Sequence, residues 1–490
     1  VTVEVKIASS ASGADARTVY LKPVGDESKL AYYEWVQNNI EKVDRLSGGT
    51  IGYIHIPDMS VAGLDMFTKL FYTQLDKKAL IITGARQVGK TTAIREFAKE
   101  NYTHFVEVNF VKHPVAKQAF DADLDTNTIV TYLSAMGFGP FIEGKTLVFF
   151  DEIQECPNAR TAIKFLVEDN RFDFIESGSL LGINCKDVTS YPVGFEEEIR
   201  LYPLDFEEFL WAKGIGENVV EVLRKCYNQE KAVPDFIHKQ MSKVYQEFLV
   251  IGGMPEVVQK YIDNPDISNA FRAQKSIITT YRDDISHYAE KSAVLVKRVF
   301  DAMPSQLGKQ DKRFVLAEIE KGASLRKYEA PTQWLIDAGL AYYSFNTKAF
   351  ELPFESTENR KLYKLYMVDT GLLCSQMINE MQFEVLKGNI DINEGALTEN
   401  FVACALSAKG KSLHYYDKKS KQELDFIIQE NNKITILEVK SGDNYKKHAS
   451  LDAALDSFSD SIGRAIVLCK NNVEKSGDVT YMPLYMAMFL

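Results

Sequence analysis

The sequence predicts a multidomain α/β protein organised around a P-loop parallel-sheet core, and three observations predict it. A chain of 490 residues is too long for one hydrophobic core, so several domains are expected. Residues Gly84 to Thr92 read GARQVGKTT, which fits G-x-x-x-x-G-K-[ST] with Gly84, Gly89, Lys90 and Thr91 in the fixed positions. Further along, Thr146 to Glu152 read TLVFFDE, a buried-strand pattern with two acids at its carboxyl end.

The P-loop lies in the context it needs. The apolar run Ala79-Leu80-Ile81-Ile82 precedes it as a strand, and Ala93 to Lys99 follow with helical character. The glycines let backbone N–H groups turn inward around phosphate oxygens, and the positive end of the helix adds to that field. Gly84, Ala85, Arg86, Val88, Gly89, Lys90, Thr91 and Thr92 are therefore the expected ATP-binding residues. Lys90 is expected to neutralise the β- and γ-phosphates, and Thr91 to ligate Mg²⁺.

The acidic strand is expected to complete the site, because ligands bind at the carboxyl ends of strands in open α/β sheets. Asp151 is expected to hold Mg²⁺, and Glu152 to orient and deprotonate the attacking water. A third strand, Phe172 to Glu176, runs into Ser177-Gly178-Ser179. Ser177 is the candidate sensor of the γ-phosphate, and a plain turn is the alternative. Arg160, Arg171 and Arg200 are candidate arginine fingers for a neighbour's site; the sequence does not choose among them.

Composition bounds the rest. Hydrophobic content of 46% and charged content of 26% are those of ordinary globular protein. No run is long and apolar enough for a membrane span and no signal peptide is recognisable, so no membrane partner and cytoplasmic residence are the default expectations. Cys156, Cys185, Cys226, Cys374, Cys404 and Cys469 show no CxxC spacing, which suggests neither a zinc site nor a disulfide framework. A net charge of −11 argues against a globally basic nucleic-acid binder and leaves a local patch open.

The order GARQVGKTT, FFDEIQECPNAR, FLVEDNRFDFIESGSLLGI, LYPLDFEEFL and GGMPEVV resembles a bacterial and archaeal family of AAA+-type ATPases with a C-terminal nuclease-like domain. The resemblance runs from about Lys77 to the end. It implies an AAA-type P-loop ATPase core over 77–215, a helical lid over 216–290, a winged-helix-like domain over 291–370 and a restriction-endonuclease-like α/β domain over 371–490. AAA-type ATPases often place nucleotide sites at subunit interfaces, so the resemblance also implies a homo-oligomer.

The residues of the middle region agree with helices from about 196 to 290, with amphipathic stretches at Phe206 to Ala212 and Met241 to Val250. Gly252-Gly253-Met254-Pro255 breaks that run. Beyond it, Val294 to Met303 and Phe314 to Glu320 are expected helices, and Ser324 is a candidate cap for Leu325 to Gly339. Pro331 argues for a boundary inside that last stretch. Ala341 to Phe345 and Leu362 to Val368 are expected strands. Lys309, Lys312, Arg313, Lys321, Arg326 and Lys327 give this region a basic side that DNA phosphates could meet.

A second constellation lies near the carboxyl end. Glu399 falls on an expected helix, Ala396 to Leu406, and Asp425 on an expected strand, Leu424 to Ile428. Ile434 to Lys440 form another, in which the two-residue repeat puts Glu438 and Lys440 on one face. A hairpin through Gln429 to Lys433 would set Asp425 beside both. Asp, then Glu-x-Lys, is the arrangement of PD-(D/E)xK nucleases. On that reading Glu399, Asp425 and Glu438 ligate Mg²⁺ and Lys440 is catalytic. Lys409, Lys411, Lys418, Lys419, Lys421, Lys446 and Lys447 add positive charge. Such folds also persist as inactive nucleic-acid-binding modules, and the motif alone does not decide.

Residues 1–76 do not belong with the rest. Arg17 to Gly25 and Leu46 to Met59 resemble tricorn-type serine peptidases, and the resemblance stops near Asp76-Lys77. It implies an incomplete peptidase-like fragment. No serine nucleophile with a paired base can be assigned, and His55 and Asp58 are read as structural. The leading expectation is thus an ATP- and Mg²⁺-dependent protein acting on DNA, with a nuclease-like end. The alternative is a non-cleaving ATP-driven switch whose C-terminal domain binds DNA or a protein partner. A serine peptidase with an ATPase module is the remote third.

Overall fold

The computed structural model describes residues 3–7, 17–21, 80–178, 196–378, 394–418, 422–430 and 432–490. The chain divides into two units: Val1–Pro57 with Val61–Lys77, and Asp58–Ser60 with Lys78–Leu490. In the first unit, β1 (Val3–Ile7) pairs antiparallel with β2 (Arg17–Leu21), Val3 opposite Leu21. The remaining peptidase-like residues, His55 and Asp58 among them, lie outside the described residues, as do Cys185, Lys419 and Lys421.

In the second unit, β3 (Leu80–Gly84) leads through the P-loop into α1 (Lys90–Asn101). Then come β4 (His104–Asn109), α2 (Thr126–Ala135), β5 (Thr146–Asp151), α3 (Pro157–Asp169), β6 (Asp173–Ser177) and β7 (Glu197–Leu201). The five strands form one sheet in the order β4-β5-β6-β3-β7, and every pairing is parallel. β6 therefore stands between the P-loop strand and the acidic strand. All six residues of β5 are buried, as an apolar strand covered on both faces requires. Phe110, Phe120, Phe150 and Phe174 pack there with Ala159, Ile163 and Leu166 of α3; each fully buried phenylalanine contributes about 1.5–3 kcal/mol.

The strand β7 corrects the sequence reading, which took the chain from about 196 onward as helical. Its sequence EEIRL is charged because it lies at the sheet edge, with a burial pattern that alternates. Charged side chains on an edge strand discourage pairing with another chain, and they also hide the strand from a search for apolar runs.

A helical region follows: α4 (Phe206–Ala212), α5 (Glu217–Asn228), α6 (Asp235–Ile251), α7 (Pro255–Asp263) and α8 (Ile267–Tyr288). A reciprocal capping box between Asp205 and Glu208 starts α4, which satisfies two of the orphan N–H groups at its end. Gly252-Gly253 joins three distant segments. Leu204 N donates to Gly253 O at 2.7 Å, and Gly253 N donates to Asp369 Oδ2 at 2.6 Å. A Cβ on Gly253 would lie 1.9 Å from Leu204 O, so only glycine fits. Asp369, buried, also accepts from Leu372 N at 2.8 Å, and burial pushes its carboxyl up to about 6.

Next come α9 (Ala293–Leu307), α10 (Leu325–Asp337), β8 (Ala341–Thr347), β9 (Glu358–Met367), α11 (Thr370–Ile378) and α12 (Glu394–Ala408). Two expectations change here. Residues Phe314 to Glu320 contain only a short 3-10 turn, Leu316–Glu318. Pro331 sits inside α10 without ending it. The carboxyl end holds β10 (Leu413–Asp417), β11 (Glu423–Glu430), β12 (Lys433–Val439), α13 (Ala449–Phe458), β13 (Ile462–Cys469), β14 (Glu474–Ser476) and β15 (Val479–Pro483).

These strands form a single eight-stranded sheet, β14-β15-β13-β12-β11-β10-β8-β9. β8 pairs parallel with β10, Leu413 opposite Ser344, and antiparallel with β9. The two strands expected in the winged-helix-like region, at Ala341 to Phe345 and Leu362 to Val368, are thus part of the C-terminal sheet, which runs across the boundary drawn at 370/371. Among the described residues no helix is long and apolar enough to cross a membrane.

Candidate functional site

The P-loop takes the shape its glycines allow. Gly84 and Gly89 have φ of 132° and 93°, values that residues with a Cβ rarely adopt. A Cβ on Gly84 would also lie 2.1 Å from Leu201 O of β7. Gly89 precedes the first turn of α1, whose N–H groups point toward an incoming anion. Ala85 and Val88 are buried supports of the loop and Thr92 is exposed. Lys90 is buried and donates to Gly84 O and Ala85 O at 2.8 and 2.7 Å. Burial lowers its ammonium to about 8, against the opposing charges of Glu152 and Asp151.

Asp151, at the end of β5, is the hub of the site. Thr91 Oγ1 stands 3.4 Å from each of its carboxylate oxygens. Ser177 Oγ donates to Oδ1 at 2.6 Å and Asn109 Nδ2 to Oδ2 at 2.8 Å. The parallel register explains the convergence, because Asn109, Asp151 and Ser177 are paired neighbours at the ends of β4, β5 and β6. Ser177 therefore meets the carboxylate of Asp151. Asn109 escaped the sequence reading; it sits at the end of the alternating strand HFVEVN, and that position was the available signal.

Glu152 has a left-handed backbone, φ 54° and ψ 47°, uncommon for a residue with a Cβ. Gln154 Nε2 donates to its Oε2 at 2.6 Å. The backbone thus turns directly after Asp151, with the Glu152 carboxylate steadied by Gln154. The Thr91 hydroxyl and the Asp151 carboxylate are hard oxygen donors facing each other, a pair that suits Mg²⁺, which takes its other ligands from phosphate and water.

The middle region reaches this loop directly. Arg86 forms an ion pair with Asp284 of α8, and Tyr281 Oη donates to Arg86 O at 3.0 Å. Gly339, at the end of α10, approaches so closely that a Cβ there would lie 3.1 Å from Ala85 N. Of the finger candidates, Arg160 is buried between Glu176 (2.8 Å) and Glu196, which excludes it from reaching a neighbour. Arg171 pairs with Asp169 of its own chain. Arg200 lies on β7 over the Tyr202 ring.

In the C-terminal sheet the hairpin forms as its sequence suggests. β11 pairs antiparallel with β12, Phe426 opposite Leu437, which sets Asp425 beside Glu438. Val439 N donates to Asp425 Oδ2 at 2.9 Å, and Lys440 Nζ to Glu438 Oε1 at 2.5 Å. Glu399 of α12 joins them, accepting from Tyr366 Oη at 3.1 Å. Two lysines missed as site residues come with it. Lys312 pairs with Glu399. Lys364 of β9, fully buried, lies 2.9 Å from Glu423, 3.8 Å from Glu399 and 3.9 Å from Asp425. A lysine inside the apolar strand KLYKLYM was the signal.

Burial pushes the Asp425 carboxyl up to about 8, with the Glu399 and Glu438 charges adding to it. Against the same burial, Lys312 and Lys364 hold Glu399 below the ordinary carboxylate range. The expected Mg²⁺ ligands Glu399, Asp425 and Glu438 are therefore gathered but already faced by ammonium groups. Among the described residues no group of three or more His, Cys, Asp or Glu side chains is arranged to hold a metal ion.

Much of the expected basic charge meets acids of the same chain, while Lys321 and Arg326 stay exposed. Lys309 pairs with Glu318, Lys312 with Glu399, Arg313 with Asp311 and Lys327 with Glu320. Lys409 is turned inward onto Met488 O, and Lys446 pairs with Glu474. Lys418 and Lys447 stay exposed.

The parallel sheet, the glycine loop and the acidic strand end define a P-loop ATPase fold of the AAA type. A family model described as an AAA domain matches residues 76–210. Two models described as domains of unknown function match residues 242–382 (DUF8612) and 394–486 (DUF4143). Among curated proteins, the Tricorn protease of Thermoplasma acidophilum is 39% identical over 77 residues, covering 16% of this chain and 7% of that protein. The Tricorn protease homolog of Saccharolobus solfataricus is 40% identical over 73 residues, 15% of this chain and 7% of that one. The chain thus spans a small fraction of these curated relatives. Among solved structures, a Walker-type ATPase of Pyrococcus abyssi matches with 13% identity and a TM-score of 0.38, over 63% of this chain and 93% of that one. The Aeropyrum pernix ORC1 protein, solved in complex with DNA, matches with 14% identity and a TM-score of 0.27, over 71% and 94%.

Proposed function

We propose that the protein binds and hydrolyses ATP at the P-loop and uses the cycle to act on nucleic acid. One observation carries the hydrolysis: Thr91, Asn109 and Ser177 converge on Asp151 across the strand ends, with Lys90 and Glu152 on either side. The loop amides and the start of α1 would receive the phosphates. Lys90 would exchange the Gly84 and Ala85 carbonyls for β- and γ-phosphate oxygens. Mg²⁺, held by Thr91 and Asp151, would supply charge neutralisation on the phosphates. Asn109 and Ser177 fix the Asp151 carboxylate, and Glu152, steadied by Gln154, would accept the proton of the attacking water.

The link to nucleic acid is supported by the exposed Lys418 and Lys447 and by the Asp425 and Glu438-x-Lys440 residues that the β11–β12 hairpin sets side by side. The second reading is a switch whose C-terminal domain binds DNA or a protein partner without cutting. It is favoured by the lysines that face Glu399, Asp425 and Glu438.

The test measures ATP turnover and DNA binding by fluorescence anisotropy in the wild type, Lys90→Ala and Glu152→Gln. Lys90→Ala should lose ATP binding, and Glu152→Gln should keep binding and lose turnover by roughly a hundredfold or more. Turnover that survives Glu152→Gln would sink the assigned base. DNA affinity that is absent, or indifferent to ATP in every sample, would sink the nucleic-acid half.

A further inference from the structure

We propose that the C-terminal carboxylate cluster is built around a lysine in place of a divalent metal, with the Lys364 ammonium as its resident cation. This goes beyond the ATP-hydrolysis reading and does not depend on it.

Lys364 comes from β9, outside the hairpin that carries the Asp and Glu-x-Lys residues. Its side chain is 0% exposed, and it ends among Glu423 at 2.9 Å, Glu399 at 3.8 Å and Asp425 at 3.9 Å. Glu423 is in close ion-pair contact with the ammonium, and Glu399 and Asp425 stand at looser ion-pair separations around it. The Tyr415 ring closes one side, its centroid 5.0 Å from the Lys364 ammonium.

Three ammonium groups, Lys312, Lys364 and Lys440, already face the four carboxylates Glu399, Glu423, Asp425 and Glu438. A divalent ion added to this set would leave net positive charge in a buried site, which is unfavourable. Directional bonds occupy more of the carboxylate oxygens: Tyr366 Oη on Glu399 and Val439 N on Asp425. Glu438 Oε2 alone among the buried oxygens of these three acids has no hydrogen-bond partner, and one oxygen does not make a divalent site. The arrangement instead ties β9, α12, β11 and the residues before Phe314 into one polar lock. On this reading the domain binds its partner without metal-dependent phosphodiester cleavage.

The experiment counts Mn²⁺ bound to the nucleotide-free full-length chain by electron paramagnetic resonance. The samples are wild type, Glu438→Gln, Lys364→Met, Lys312→Met and the double variant Lys364→Met/Glu438→Gln, each checked for folding by circular dichroism. Wild type and Glu438→Gln should bind Mn²⁺ equally, because the cluster holds none. Lys364→Met should gain one ion per chain, and the double variant should lose it again. If Lys364→Met does not fold, Lys312→Met makes the same comparison from the more open edge of the cluster. Mn²⁺ bound by the wild type and lost in Glu438→Gln overturns the proposal. So does a folded lysine variant that gains no ion.

Discussion

Replacing Arg160 separates a structural arginine from a catalytic one. Its guanidinium lies 2.8 Å from Glu176 and also grips Glu196, with Nη2 2.6 Å from Oε1. The Glu176 side chain is 0% exposed, its Oε1 has no hydrogen-bond partner, and burial already pushes its carboxyl up to about 8 against the pull of Arg160. Arg160→Met therefore leaves an uncompensated acid in the core of the parallel sheet, one residue before Ser177. Glu176 can take up a proton, so the loss is that of a buried polar group left without its donor, about 1–3 kcal/mol. The double variant Arg160→Met/Glu176→Gln should recover most of that loss, since replacing a whole buried pair is often close to neutral. Urea unfolding followed by circular dichroism reads the transition of the core; a chain with several domains does not report one global stability. The reasoning fails if Arg160→Met unfolds within about 1 kcal/mol of wild type while ATP turnover collapses, the signature of an arginine finger worth about 10³–10⁵ in rate.

Three further outcomes follow from the same geometry. Ser177→Ala removes a hydrogen bond to the Asp151 carboxylate worth roughly 1.5–3 kcal/mol; kcat for ATP should fall about tenfold to a hundredfold. A raised KM with unchanged kcat would instead mean that the serine touches phosphate. Gly253→Ala forces a Cβ to within 1.9 Å of Leu204 O, and thermal melting should show a loss of about 1–3 kcal/mol; a variant that melts like wild type would contradict the tight junction. Asp369 holds its proton more tightly folded than unfolded, because burial raises it to about 6. Its contribution is therefore present at low pH and lost as pH rises from about 4 through 6, by up to about 3 kcal/mol. Asp369→Asn should flatten stability over that window, and a dependence that persists would exclude Asp369 as its source.

The ATPase core was legible because its chemistry is local. A strand, a glycine loop and a helix are contiguous, and the apolar run of β5 could only be a buried strand. The position of Ser177 was legible too, but its hydrogen bond to Asp151 was not, since the strand order that sets the two together is a long-range fact. β7 was missed because edge strands carry charge. The hairpin of β11 and β12 could be read from alternation and a short turn. The neighbours of that hairpin could not: Lys364 approaches from a strand whose place in the sheet depends on pairing between β8 and β10, residues far apart in sequence. Likewise, the basic side expected around Lys309 to Lys327 counted charges without the acids that fold back onto them.

The shared sheet has a practical consequence for anyone dissecting this chain. The family match over 394–486 begins after β8 and β9, so a fragment cut at its edge would omit both. β10 would then present bare N–H and C=O groups along the side that β8 covers, and an uncovered strand edge invites pairing with another molecule. The same cut would strip Lys312 and Lys364 from Glu399 and Asp425. A fragment beginning near Ala293 keeps the eight strands and both lysines together, but it gives up the Gly253 bond to Asp369 and the packing of Phe401 on Phe206, Tyr245 and Phe248.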